Sequence, residues 1–124
     1  MPHQIKNLIK AFGHAIDGWK RGLKERNVKI HLVITFCVLI ASLLLKISTT
    51  QFLIILILIA MVISAELFNT AIEDVCDTIT ASLKLQYEAT TIPRDVAAGA
   101  ILVVAFIAAL VGLLIFIPRL LTLF

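Results

Sequence analysis

Residues 51–79 read QFLIILILIAMVISAELFNTAIEDVCDTI, an apolar run that leads into four acids, Glu66, Glu73, Asp74 and Asp77. No charged residue occurs from Phe52 to Ala65, and helical patterning continues past Glu66 to about Ile79. A membrane-crossing helix needs ~20 predominantly apolar residues, so a span is expected over residues 51–79. Gln51 to Glu66 corresponds to about 22 Å of helix, against a hydrocarbon core of about 30 Å. Glu66 is therefore expected inside one leaflet, with Glu73 and Asp77 nearing or passing the membrane surface.

Working outward, a shorter apolar run covers residues 32–45, bounded by Lys29 and His31 on one side and Lys46 on the other. With its flanks it predicts a span over about residues 30–47, and Ile47-Ser48-Thr49-Thr50 reads as the turn into the next. On the other side, residues 80–94 are short and polar, and Thr90, Thr91 and Pro93 place the end of the preceding helix well before Arg94. A third span is expected over about residues 95–118, ended by Pro118. Its Ala105/Ala109 and Ala108/Gly112 pairs have the small-xxx-small spacing that lets helices approach closely, which suits packing between subunits.

Upstream of all three spans, Ile5, Leu8, Ile9, Phe12, Ile16, Trp19 and Leu23 fall on one helical stripe, while Lys6, Lys10, Lys20, Arg21 and Lys24 lie elsewhere on the wheel. Residues 5–26 thus predict an amphipathic helix along the bilayer surface, with Trp19 at the interface. No cleavable signal peptide is expected, since the basic, periodic opening lacks a short apolar core and cleavage site. Seven basic residues precede or reach Lys29, and Lys84 and Arg94 lie in the 80–95 connection, whereas the opposite side has only Lys46 and Arg119. The positive-inside rule then puts the N-terminus and that connection in the cytoplasm.

Composition agrees. Of 124 residues 60% are hydrophobic and the mean hydropathy is +1.05, against ~45–50% apolar in a soluble domain. A single domain over residues 1–124 is expected, too short for a separate soluble catalytic module. Cys37 and Cys76 have neither CxxC nor Cys/His spacing, so they read as small apolar packing residues.

Chemistry concentrates where the second run meets acids. Glu66, Asn69, Glu73 and Asp77 sit at i, i+3, i+7 and i+11, a stripe about 80° wide on a helix, with Asp74 about 80° off the position of Glu66. A carboxylate facing lipid costs at least ~2.5–3.5 kcal/mol, so Glu66 must face protein, water or a ligand. Taken alone, Glu73 and Asp77 also suit a solvated helix end, and Glu66 with Asn69 also suits a polar contact between helices. Together the four suggest a base at the depth of a lipid head group and hard oxygen ligands nearer the cytosol, the layout of phosphoryl transfer to a lipid alcohol. Arg94 and the basic N-terminal segment supply counter-charge for phosphate. There is no GxxxxGK loop and no kinase glycine-rich loop. His31 reads as a satisfied polar group at the interface.

The segment Glu66-Leu-Phe-Asn-Thr-Ala-Ile-Glu-Asp-Val-Cys-Asp77 resembles the E-x-x-N-[ST]-A-I-E-x-x-x-D signature of the prokaryotic diacylglycerol kinase and undecaprenol kinase family. Glu25-Arg26-Asn27 with Lys29-Ile30-His31 is similar to the E-R-N-x-[RK]-x-H stretch of its Gram-positive branch, and Arg94-Asp95-Val-Ala-Ala-Gly-Ala100 to the start of its third span. The resemblance covers the chain nearly end to end. It implies an all-α homotrimer of three-span subunits, each preceded by a surface helix, with sites shared between neighbours, in the bacterial cytoplasmic membrane. It further implies ATP as phosphoryl donor and Mg²⁺ as cofactor, with Glu66 as general base and Glu25 and Glu73 holding Mg²⁺-ATP. Asn69 and Asp77 would support the site, and Arg94 and Asp95 would contact the nucleotide. Arg94 stands where the family usually has Lys, Asn7 stands about where the enterobacterial branch has Arg, and the connection from Asp77 to Arg94 is a few residues longer than usual.

The expected function is therefore ATP- and Mg²⁺-dependent phosphorylation of a lipid alcohol, undecaprenol before diacylglycerol because of the Gram-positive pattern. A small proton-coupled transporter is the competing class, but a relay would place acids at mid-bilayer or on both sides. A non-catalytic packing or regulatory subunit would not need four aligned oxygen-bearing side chains.

Overall fold

A chain this apolar, broken by only a few turn-forming stretches, has helices as its way to pair every backbone group inside a membrane. The computed structural model describes residues Met1–Phe124 and contains no strand. Its elements are α1 (His3–Gly22), α2 (Arg26–Leu44), α3 (Thr49–Leu83), a single 3-10 turn (Tyr87–Thr90) and α4 (Thr91–Leu121). Three of these helices are long and apolar enough to cross a membrane. α3 is the element the others share: α1, α2, α4 and the 3-10 turn all pack on it.

The helices begin and end at places that periodicity alone misses. The first ends at Gly22 rather than near residue 26, because the chain turns through Leu23 and Lys24 and Glu25 becomes the N-cap residue of α2. Arg26, Asn27 and Lys29 consequently belong to α2, which runs over Arg26–Leu44 instead of about 30–47. Thr49 and Thr50 are helical, since Ser48 and Gln51 form a reciprocal capping box at the start of α3 (Gln51 N to Ser48 Oγ 3.2 Å, Ser48 N to Gln51 Oε1 3.1 Å). At its other end α3 continues to Leu83 and closes with Lys84 in the left-handed region (φ 52°), where Leu85 N reaches back to Thr80 O at 2.9 Å.

Two prolines account for the differences in α4. Pro93 is the third residue of the helix, a first-turn position whose N–H would have no intrahelical partner anyway, so α4 starts at Thr91 rather than near residue 95. Pro118 does not end the helix, which runs on to Leu121. The proline removes one bond close to the terminus, and Arg119 fastens that end by donating from Nε to Leu45 O (2.7 Å) and from Nη2 to Lys46 O (3.2 Å).

Burial is inverted relative to a soluble protein. Val28, Ile55, Val62, Ile63, Cys76 and Ile115 are the buried apolar residues, and Ser42, Glu66, Asn69, Thr70, Thr90 and Arg94 are buried beside them. Leu43, Phe68, Leu102 and many other large apolar side chains stay exposed. Along α1, Ile5, Leu8, Phe12, Ile16 and Trp19 are exposed as well, and only Gly22 is buried. A Cβ on Gly22 would collide with Leu67 Cδ2 of α3, so glycine permits the close approach of α1 to α3.

Candidate active site

Glu66 lies 17 residues after Thr49, the first residue of α3, or about 26 Å along the axis. It is 3% exposed. Its backbone carbonyl accepts from Thr70 Oγ1 at 3.0 Å. Its carboxylate meets α2, where His31 Nε2 stands 3.0 Å from Glu66 Oε1. A buried carboxylate needs such a partner. The positions of α2 and α3 supply one from a residue 35 positions away in sequence.

One turn further along α3, Asn69 is buried and donates from Nδ2 to Glu73 Oε1 at 3.1 Å. Its carbonyl oxygen, Oδ1, is the one buried side-chain polar atom without a partner. The carboxylate of Glu73 is half-buried. Asp77 accepts from Arg94 Nη2 at 2.7 Å, and Arg94 also donates from Nε to Thr90 Oγ1 at 2.9 Å. The Arg94 guanidinium carbon lies 4.4 Å from the centre of the Tyr87 ring. Thus Arg94, expected as counter-charge for phosphate, is 8% exposed and ties the connection between α3 and α4 together. Asp95, next to it, is exposed and takes part in no ion pair or side-chain hydrogen bond.

Glu25 approaches the site from the α1–α2 corner. Arg21 grips it from Nη1 at 2.6 Å and reaches Asp74 Oδ1 from Nη2, also at 2.6 Å. Asp74 lies off the stripe of Glu66, Asn69, Glu73 and Asp77, and this is why it faces α1 instead of joining that row. The hydrogen bonds to Glu25 and then Asp74 raise the pKa of Arg21 above its ordinary value, so the clamp stays cationic.

The structure therefore pairs Glu66 with His31 and Asn69 with Glu73 along one face of α3, leaves Asp77 bound to Arg94, and sets Glu25 in the Arg21 clamp. It adds His31, Arg21, Asp74, Thr90 and Tyr87, which sequence reasoning did not assign to the site. No group of three or more His, Cys, Asp or Glu side chains converges on a metal position. Mg²⁺ does not require one: it is typically held by one or two carboxylates together with the phosphates it carries. The orphaned Asn69 Oδ1 and the adjoining Glu73 carboxylate are hard oxygen donors of the right kind.

Below the site, α2, α3 and α4 enclose a half-open cavity of about 480 Å³. His31 is on its rim, Ile55 and Val62 line it from α3, and Ala105, Ala108 and Gly112 line it from α4. Within the subunit the small-residue stripe of α4 leaves space beside it, as a Cβ on Gly112 would meet nothing within 4 Å. The volume falls in the ~300–1,000 Å³ range of ligand pockets.

Comparison with known proteins gives a consistent result. Residues 13–116 match the model of the prokaryotic diacylglycerol kinase family. The chain is 38% identical over 119 residues to an undecaprenol kinase of Bacillus subtilis, covering 95% of this chain and 94% of that protein. It is 32% identical over 118 residues to a diacylglycerol kinase of Synechocystis, covering 94% of this chain and 66% of that longer protein. No solved structure gives a significant match.

Proposed function

The chain belongs to the prokaryotic diacylglycerol kinase family and is a lipid kinase, and from that premise we propose that it transfers the terminal phosphoryl group of ATP to undecaprenol. The observation that carries this reading is the buried Glu66 carboxylate, 17 residues into α3, beyond which Asn69, Glu73 and Asp77 continue the row of oxygen-bearing side chains along the helix. The choice of lipid is supported by the Glu25-Arg26-Asn27 segment and by the likeness to an undecaprenol kinase over nearly the whole of both chains. Diacylglycerol is the second reading, supported by the Synechocystis relative.

In this mechanism Glu66 accepts the proton of the lipid hydroxyl as its oxygen attacks the phosphorus. A buried carboxylate is a better base than a solvated one, because water no longer stabilises its charge. Bound Mg²⁺ would neutralise charge on the phosphate oxygens. Glu73 and Glu25 would hold the metal-nucleotide, with Asn69 fixing the Glu73 carboxylate through its amide. Asp77, Arg94 and Asp95 would border the nucleotide, Arg94 by holding the connection in shape. The hydrocarbon chain of the lipid would lie in the cavity below His31, whose walls are almost wholly apolar.

The same reading puts the enzyme in the bacterial cytoplasmic membrane, with its N-terminus and the 80–95 connection in the cytosol and α1 along the surface. The exposed apolar stripe of α1 and the nine basic residues on that side support this arrangement. A homotrimer with shared sites is supported by the family resemblance and by the large apolar surface that one subunit leaves exposed.

The test is ATP-dependent phosphorylation of undecaprenol and diacylglycerol by purified protein in the same mixed micelles. A higher kcat/KM for undecaprenol is expected. Groove shape discriminates by only ~1–3 kcal/mol per small difference, so some product from diacylglycerol is expected too. A ratio favouring diacylglycerol would overturn the substrate choice.

A further inference from the structure

His31 pairs with the Glu66 carboxylate and also lines the cavity beneath it. Its Nε2 is 3.0 Å from Glu66 Oε1, and it borders the cavity together with Ile34, Val62 and Ala105. The other carboxylate oxygen, Oε2, makes no hydrogen bond or ion pair in the subunit. We propose that His31 is the positioning residue of the phosphoryl transfer, holding Oε1 of Glu66 through Nε2 so that Oε2 is presented to the lipid hydroxyl.

A glutamate side chain has three rotatable torsions, and an unheld carboxylate would present its oxygens to the substrate in many orientations. A base held by a third group is how nucleophile, base and orienting residue are arranged in other activated hydroxyl chemistry. Here α2 supplies the orienting group and α3 the base, so the packing of those two helices fixes the attack direction. Because the same imidazole borders the cavity, a chain lying there brings its hydroxyl up beside Glu66. In the transfer the lipid oxygen bonds to the terminal phosphorus and the bond from that phosphorus to the bridging oxygen of ATP breaks. The hydroxyl proton passes to Glu66 Oε2, ADP leaves, and His31 gains and loses nothing.

This inference rests on the reading of Glu66 as the base, and the test separates the two. Glutamine can put its amide N–H where His31 has Nε2, whereas asparagine is too short and reproduces only the Nδ1 position. The kcat and the KM values for undecaprenol and ATP are measured for wild type, His31→Gln, His31→Asn and Glu66→Gln, each checked for helix content and assembly. His31→Asn is expected to lose roughly 10–100-fold in kcat, the cost usual for removing a group that orients a working side chain. Its KM for ATP should be unchanged, and His31→Gln should recover most of the loss. Equal kcat in the Gln and Asn variants, with Glu66→Gln inactive, would overturn the role of His31 alone. Retained activity in Glu66→Gln would overturn the base assignment, and this inference with it.

Discussion

The two halves of α3 have the same backbone and opposite contents. Over residues 49–65 the buried side chains are Ile55, Val62 and Ile63, held by dispersion and shape. Over residues 66–83 they are Glu66, Asn69, Thr70 and Cys76, and three of these four carry polar groups that need named partners. Away from the cavity that Ile55 and Val62 line, the first half could be replaced by other apolar residues of similar volume with little consequence. The second half could not, because a buried charge or amide stripped of its partner is expensive. One continuous helix thus joins an apolar membrane-spanning stretch to the row of polar groups proposed as the reaction site. At 35 residues it is about 52 Å long, roughly 20 Å more than the hydrocarbon core.

Substitutions that break this contrast should affect the second half through rate and the first through stability. Glu73→Gln is expected to raise the Mg²⁺ requirement and lower turnover by roughly 10–100-fold, judged by the usual cost of disturbing a metal's supporting groups. Glu25→Gln should act in the same direction but less strongly, because it also frees Arg21 to pair with Asp74 alone. Overlaying Mg²⁺ titrations of variants and wild type would remove both from the metal. If neighbouring subunits share sites, mixing Glu66→Gln with Glu25→Gln should restore part of the activity in co-assembled protein. No recovery would mean that each subunit is self-sufficient.

Arg94→Ala comes next in size. It deprives Asp77 and Thr90 of a partner and uncovers the Tyr87 ring, so a several-fold higher KM for ATP is expected. Arg94→Lys should recover part of this, since one ammonium keeps the charge but cannot serve Asp77 and Thr90 as a planar fork does. An ATP dependence identical to wild type in the Ala variant would detach the connection from nucleotide use. The smallest effect belongs to the first half: Ile63→Val, at a buried position outside the cavity, should cost ~0.5–1.5 kcal/mol of stability and leave kcat unchanged. A fall in kcat there would mean that the two halves are not separate in function.

The contrast within α3 is legible in the sequence, since helical periodicity alone aligns Glu66, Asn69, Glu73 and Asp77 and sets Asp74 aside. The partners are not. His31 meets Glu66 only because α2 packs on α3, and Arg21 reaches Asp74 over a separation of 53 residues. No local pattern encodes either distance. Arg94 reads as a free cation because the Asp77 that engages it lies across a turn whose geometry depends on Lys84 adopting the left-handed region. Pro93 is read correctly, since the preceding helix ends at Leu83, well before Arg94. Pro118 misleads for a related reason: it looks like a helix boundary, yet it sits next to an arginine that fastens the end from outside. The small residues of α4 are read correctly as a stripe, but whether a stripe closes on a neighbour or opens a cavity is decided by the helices facing it.

Whether Glu66 accepts the lipid's proton is read from the kcat of Glu66→Gln at saturating undecaprenol, ATP and Mg²⁺. An amide of the same size keeps the contact with His31 but cannot take up a proton. The account predicts a turnover lower by ~10²–10⁴-fold, the range of a general-base contribution, with helix content and assembly unchanged. A folded variant that retains more than about a tenth of wild-type turnover, well short of that range, would contradict it.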